Sequence, residues 1–334
     1  MKIAIVKLSA LGDIIHAMVI LQFIKKYNRA IEIDWIVEES YKELLELNPD
    51  INKVHVLNIR KAKKKKSIHL FLTELKNMRK LGPYDLVIDM QGLIKSALIS
   101  SLIPSQTTLG FDKFSARESI ASIFYNKTFN YGYDKNIVER NVALVGFALG
   151  LNIGKKNIDN KLPFLFSTQK YINPKLSSTK KNILLVPGAS LASKRYSVAK
   201  FSELTNLIDA NYFVIWGNEK EKDLANKIKT LAQNVNICDN LSLDNLISLI
   251  TKADLIIGPD TGPTHMGWAL NIPSITLFGS TPGHRNTYET KLNKIINSDS
   301  IVNPLKINKN DHSVSEIDVH EIVKIATLIL SNFK

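Results

Sequence analysis

KIAIVKLSALGDIIHAMVIL, residues Lys2–Leu21, carries the reading that decides the fold. Lys2–Lys7 is short, apolar and β-branched, the pattern of a buried strand. From Asp13 to Tyr27, apolar residues recur at helical spacing (Ile14, Ile15, Met18, Leu21, Ile24), which predicts a helix. Between them stands Ser9-Ala10-Leu11-Gly12-Asp13, with Gly12 as the turn glycine at a helix N-terminus. Exposed N–H groups at such an end favour an anion or an acceptor oxygen.

The same grammar continues outward. Strands are expected at Ile31–Val37, Lys53–Leu57 and Asp85–Asp89, and helices at Tyr41–Leu47, Ile68–Leu81 and Ile94–Leu102. Asn48-Pro49, Gly82-Pro83 and Pro104 supply the stops. The second half repeats it, with strands at Asn182–Val186, Tyr212–Trp216, Asp254–Ile257 and Ser274–Phe278. Helices are expected at Phe201–Ala210, Glu221–Ala232, Leu243–Lys252 and Thr261–Leu270. Such alternation predicts an α/β fold, two parallel sheets covered by helices. At ~150 residues per domain, 334 residues give two domains. The polar stretch Ser167–Lys181, with Pro174, is the expected linker. We therefore expect an N-terminal domain over 1–166, a C-terminal domain over 181–314 and a last helix over 315–334. That helix opens on a Ser315-x-x-Asp318 capping pattern and is expected to pack back on the N-terminal domain. In open α/β sheets, ligands sit outside the carboxyl ends of the strands, so a ligand is expected in a cleft between the two domains.

Composition narrows the function. Apolar residues at 45% and charged residues at 22% fit an ordinary folded protein. The single cysteine, Cys238, leaves no internal disulfide. Asp13 and His16 interrupt the first apolar run, which does not read as a signal peptide, and no stretch approaches the ~18 apolar residues of a membrane span. The net charge is +13, and it is uneven. Residues 1–170 hold 26 basic and 16 acidic groups, a balance of +10, whereas 171–334 hold 18 and 15, a balance of +3. Nucleic acid, an acidic membrane surface or a phosphorylated substrate would each suit the first half, and so would a lysine-rich surface with no partner.

The residues that follow the strands carry the candidate chemistry. Only Gly12 of a G-x-G-x-x-G pattern is present, so Asp34 is a weak candidate for a dinucleotide-ribose acid. Asp13 is either a helix-start acid or a general base. Val186-Pro187-Gly188-Ala189-Ser190 followed by Lys194 is a phosphate-holding arrangement, or an ordinary surface loop. Glu219 after Trp216-Gly217-Asn218 can accept from a ribose diol, or be an acid in a first helical turn. Gly258-Pro259-Asp260-Thr261-Gly262-Pro263-Thr264-His265 is the densest group. It offers a carboxylate, a hydroxyl and N–H groups at one helix start, which suits a sugar attached to a phosphate. Gly279–Gly283 adds a polar rim. No two aspartates stand two positions apart, so no Asp-x-Asp pair is present to hold a metal ion.

Lys7-x-Ser9-Ala10-Leu11-Gly12-Asp13-Ile14-Ile15-His16, Asp89-x-Gln91-Gly92-Leu93-Ile94-Lys95-Ser96 and Gly258–His265 resemble the ADP-heptose:lipopolysaccharide heptosyltransferases, glycosyltransferase family nine. Ser115-Ala116-Arg117-Glu118 and Phe124-Tyr125-Asn126 are closer to the type I branch than to type II. The resemblance spans roughly residues 1–330. It implies a GT-B fold, two Rossmann-like domains with a cleft between them. It also implies an inverting, metal-independent transferase with no cofactor, moving heptose from ADP-heptose to Kdo of Kdo-lipid A. Type II, with a heptose acceptor, and a non-transferase GT-B sugar-nucleotide enzyme are the alternatives. By motif, Asp13 and Lys194 are implied as catalytic, the first as base and the second neutralising the leaving diphosphate. Ser9, Gly12, Ala189, Ser190, Glu219, Leu241, Asp260, Thr261, Gly262 and His265 are implied on the donor side. Arg60, Lys64, Gln91, Lys95 and Arg117 fall in acceptor-side segments, and Ala189 lacks the hydroxyl often found at its position. The implied setting is the cytoplasmic face of the bacterial inner membrane, with an anionic surface met by Arg60, Lys61 and Lys63–Lys66. Nucleic acid is not expected, since Arg60–Ser67 has no interleaved aromatics.

Overall fold

The computed structural model describes residues 1–169, 171, 173 and 175–332, with Lys63 by its backbone alone. Lys170, Ile172 and Pro174 of the expected linker, Phe333, Lys334 and the Lys63 side chain lie outside the described residues. The chain divides into two units, Met1–Phe164 and Leu165 onward.

In the first unit the order is β1 (Lys2–Val6), α1 (Leu11–Met18), α2 (Ile20–Tyr27), β2 (Glu32–Glu38), α3 (Lys42–Glu46), β3 (Lys53–Leu57), α4 (Ile59–Lys64) and α5 (Ile68–Met78). Then come β4 (Tyr84–Asp89), α6 (Ile94–Leu102), β5 (Ser105–Phe111), β6 (Lys127–Phe129), α7 (Ile137–Leu149) and α8 (Lys155–Asp159). The second unit runs β7 (Asn182–Leu185), α9 (Val198–Leu207), β8 (Asn211–Val214), α10 (Glu219–Leu231), β9 (Val235–Ile237) and α11 (Leu243–Ile250). It continues with β10 (Leu255–Pro259), α12 (Gly262–Leu270), β11 (Ser274–Phe278), α13 (Gly283–Asn286), β12 (Asn293–Asn297) and α14 (Val319–Asn332).

Each unit has a six-stranded sheet, ordered β3-β2-β1-β4-β5-β6 and β12-β11-β10-β7-β8-β9, with every pairing parallel. Counted within its unit, each is the doubly wound order 3-2-1-4-5-6. The order reverses between β1 and β4 in the first unit and between β7 and β10 in the second, the points at which such sheets commonly bind ligands. The strands are near-continuous apolar runs because both faces are covered. In β1, Ile3, Ala4, Ile5 and Val6 are all buried.

Three expectations change. Gly12 lies inside the first turn of α1, whose N-cap is Ala10, and is not a turn glycine. The segment read as a linker is tied to the second unit: the Asp244 carboxylate at the start of α11 accepts from the Ser167 hydroxyl, from Thr168 N–H at 3.0 Å and from its hydroxyl at 2.6 Å. The apolar face of the last helix (Val319, Ile322, Ala326, Ile329) joins the second unit's core with Phe201 and Leu204 of α9. Its start is set by Asp318, which accepts from His320 N–H at 3.0 Å, while the Ser315 hydroxyl turns to the Arg195 carbonyl. The periodicity also left out α4, α7, α8, α13 and the four strands β5, β6, β9 and β12. Two of those strands, β6 and β9, have three residues each, too few for a period to show.

Candidate active site

The two switch points carry most of the residues singled out above, but in different chemical states. In the first unit, register aligns Val6 with Ile36 and with Asp89, so Leu8, Glu38 and Gln91 share the carboxyl edge. The Gln91 side-chain oxygen accepts from Leu8 N–H at 2.7 Å and Ser9 N–H at 3.3 Å. The buried Lys7 ammonium donates to the Met90 carbonyl at 2.9 Å. Gln91 is therefore a strut between the ends of β1 and β4, its amide oxygen already engaged.

Asp89 explains the local sequence. Its fully buried carboxylate accepts from Gln91 N–H (2.8 Å), Gly92 N–H (3.3 Å), Ser96 hydroxyl (2.8 Å) and Tyr125 hydroxyl (2.7 Å). Burial raises its pKa, and the Tyr125, Gln91, Ser96 and Gly92 hydrogen bonds offset only part of this. Gly92 sits at φ +67°, the left-handed region that favours glycine, and turns the chain into α6. That turn presents Lys95 half-buried, while Arg117, Arg60 and Lys64 are exposed. Glu118 latches the Arg117 loop to α6, accepting from Ile94 N–H at 2.7 Å.

Asp13 is exposed and accepts from Ala10 N–H at 3.2 Å. Its carboxylate sits at the third position of α1, where the helix dipole favours the anion. Ser9 is buried, and the Ser9–Ala10 peptide is cis. Glu38, which the sequence reading passed over, is 2% exposed at the end of β2. One of its oxygens accepts from Arg60 N–H at 3.3 Å, and the other has no hydrogen-bond partner. Burial raises its pKa against the Arg60 hydrogen bond and the nearby Lys95 and Arg60 charges. Arg60 also donates to the Tyr41 hydroxyl at 3.0 Å. Asp34 is no ribose acid: it is buried in β2 and binds the Tyr84 hydroxyl (2.6 Å) and His55 (3.0 Å).

In the second unit, Asp260 follows β10 and is a hub. Lys194 Nζ lies 2.6 Å from Oδ2, His265 Nε2 2.9 Å from Oδ1, and the Thr281 hydroxyl and Asn286 amide donate to Oδ2 at 2.9 and 3.2 Å. Burial alone would raise its pKa. The Lys194 charge and the His265 hydrogen bond and charge overcome this and hold the carboxyl far below the usual range. Thr261 is the N-cap of α12 with its hydroxyl unused as a cap, Gly262 opens the helix and Pro263 fills the first turn, as the sequence predicts. A side chain at Gly258 would strike Val186 at 2.6 Å and Thr264 at 2.8 Å, so the glycine lets β10 pass close to β7.

Ser190 is exposed, Leu241 half-buried, and Ala189 buried with its carbonyl accepting from Arg195 at 3.3 Å. Glu219 points away from the turn, with its side chain 82% exposed and 3.9 Å from Lys222. Glu221 lies at the turn: its carboxylate accepts from Gly217 N–H at 2.8 Å and lies where a side chain on Gly188 would be. Asn218 caps α10, and the helical phase then turns position 221, not 219, to the strand ends. Thr281 had a sequence signal in the polar rim, whereas Asn286 and Glu221 had none. Among the described residues, no group of three or more His, Cys, Asp or Glu is placed to hold a metal ion, and no helix is long and apolar enough to cross a membrane.

Residues 74–312 match the family model described as glycosyltransferase family 9 (heptosyltransferase). The chain is 39% identical to lipopolysaccharide heptosyltransferase 1 of Campylobacter coli over 97% of its own length and 98% of the relative's. It is 27% identical to the protein of that name from Escherichia coli K12, over 85% and 89%. Among solved structures, the E. coli heptosyltransferase WaaC with ADP superposes with a TM-score of 0.79 over 98% of this chain and all of that one, at 24% identity. That last likeness speaks for the fold, two Rossmann-like units of GT-B type.

Proposed function

The chain belongs to glycosyltransferase family 9, the heptosyltransferases, and from that premise we propose that it moves L-glycero-D-manno-heptose from ADP-heptose to a Kdo residue of Kdo-lipid A, in assembly of the lipopolysaccharide inner core. The 39% identity to a type 1 enzyme over nearly the whole of both chains carries this reading. A hydroxyl of the acceptor attacks the anomeric carbon in line as the bond to the diphosphate oxygen breaks. Its proton passes to the Asp13 carboxylate, ADP leaves, and the configuration inverts.

The second unit suits the donor. Asp260 holds Lys194 beside the helix start of α12, so an ammonium and the N–H groups of Gly262 and its neighbours face one place where diphosphate charge develops. His265, Thr281 and Asn286 fix that carboxylate, and Thr261 and Ser190 offer hydroxyls. We assign the ribose diol to Glu221 in preference to Glu219, because only Glu221 lies at the glycine turns. Leu241 is left for the adenine face. The stabilisation comes from fixed groups of the chain, with no metal in the step. In the first unit, Arg60, Lys64, Lys95 and Arg117 offer cations for the phosphates and carboxylates of the acceptor, with Gln91 holding the turn that presents Lys95. The enzyme then works as a peripheral protein on the cytoplasmic face of the inner membrane, drawn there by Arg60, Lys61 and Lys64–Lys66. Each such cation contributes about 1 kcal/mol near an anionic surface.

The test is transfer from ADP-heptose to acceptors ending in Kdo and to acceptors ending in heptose. Product with the Kdo acceptor is expected. Product only with the heptose-terminated acceptor makes it a type II enzyme, and turnover of ADP-heptose with neither points to a different sugar-nucleotide chemistry.

A further inference from the structure

The first unit leaves apolar side chains in water on one run of packed elements. α5 packs on α6, and α6 packs on the 3-10 segment Ser119–Phe124. On α5, Ile68 and Leu72 are 76% and 56% exposed, and their i, i+4 spacing puts them on one face. Ile94, at the start of α6, is exposed, as are Ile120 and Ile123 of the 3-10 segment, the latter at 74%. Cations outnumber acids around these side chains, and Glu74 of α5 is half-buried. Lys61 and Lys64–Lys66 immediately precede α5 and are exposed, and the exposed Lys113 and Arg117 precede the 3-10 segment. Of the nearby acids, Glu118 is already engaged with Ile94 N–H. Exposed apolar groups bordered by cations are the surface of a segment that lies in a membrane interface. The apolar side chains enter the boundary of headgroups and acyl chains, and the cations take lipid phosphates.

We propose that this α5–α6–Ser119–Phe124 face docks the enzyme on an anionic phospholipid bilayer by shallow apolar insertion, beyond charge attraction alone. The inference rests on the membrane reading above and adds to it the apolar contact and its place. Charge complementarity selects the occupant. A second copy of this chain would bring the same positive patch against itself, whereas an anionic bilayer neutralises it.

The full chain is tested for flotation with vesicles of phosphatidylethanolamine and phosphatidylglycerol and, separately, of phosphatidylcholine, none containing acceptor. Ile68→Ser/Leu72→Ser and Ile120→Ser/Ile123→Ser are compared with the parent. Each double variant is expected to bind anionic vesicles about tenfold or more weakly, since each withdraws two large apolar side chains from the interface. Each keeps parental turnover on a water-soluble Kdo acceptor lacking lipid chains. Ile123→Trp gives an independent readout, an emission blue shift on anionic vesicles and quenching by brominated lipid. Parental vesicle binding by both double variants, or no shift in Ile123→Trp, overturns the proposal. So does a parental dimer that the serine variants abolish, which would show a second copy on this face. Vesicle binding of the parent without transfer to any acceptor would instead overturn the assigned reaction and leave the docking face standing.

Discussion

The two switch points are built on one strand order and hold their charges in opposite states, compensated in one and exposed in the other. Behind β10, the largely enclosed Asp260 carboxylate, 9% exposed, is answered by Lys194, His265, Thr281 and Asn286. Behind β1 and β4, the polar groups that are satisfied are structural, Asp89 and Gln91, while Arg60, Lys64, Arg117 and Asp13 stand in solvent. On the function proposed above, the fixed groups of the nearly neutral unit suit a compact diphosphate, and the exposed cations of the basic unit suit a large, multiply charged lipid. The charge balance of +10 against +3 is the composition-level trace of that division.

The largest effect that could break the comparison is at Asp13. Asp13→Ala is expected to lower kcat by about 10²–10⁴ with donor affinity unchanged, because general-base contributions are of that size. Near-normal kcat in a folded variant would remove the base from the first unit. Next, Lys194→Ala should cost about 10²–10³ in kcat, the usual loss for one charge-stabilising donor. An equal loss in Asp260→Asn would show that the hub acts by holding the lysine. Glu221→Gln should raise the KM for ADP-heptose about tenfold, the loss of one hydrogen bond to a charged group, while Glu219→Gln changes it less than twofold. The reverse result would restore Glu219. Arg60→Gln/Lys64→Gln should raise the acceptor KM several-fold, more at low salt, and leave donor binding alone. A change in donor affinity would dissolve the division of labour.

The smallest effect concerns stability. Burial lowers the pKa of Lys161, next to the unit boundary, from 10.5 to about 7. Between those values the unfolded chain binds the extra proton, so stability rises with pH from about 7 to 10.5 and is flat below. In Lys161→Met this rise should be absent from urea midpoints taken at pH 7 and pH 10.

Much of this was legible in the chain. The strand–turn–helix grammar of Lys2–Tyr27 predicts the doubly wound units. The Gly258–His265 run predicts a helix start with Pro263 in its first turn, which is where α12 begins. Asp260 directly follows β10, so strand prediction points to it, whereas Asp13, in the first turn of α1, and Lys194, nine residues past β7, drew their roles from the motif resemblance. Glu221 was not legible, because two glutamates two residues apart read alike until the Asn218 cap fixes the helical phase. Glu38 looked like the end of an apolar strand, and Asn286 like any residue of a short loop. The linker looked free because its anchor, Asp244, lies 76 residues on from Thr168.

The sequence by itself determined the class of fold, the two repeats of its grammar and the sign of the charge on each half, since these follow from local periodicity and composition. Only the tertiary structure decided that Asp260 is a compensated hub and that Gln91 is a strut. It also decided which of two glutamates faces the glycine turns, and that the last helix completes the second core. Each of these depends on partners far apart in the chain, which the parallel register brings within hydrogen-bond or van der Waals reach.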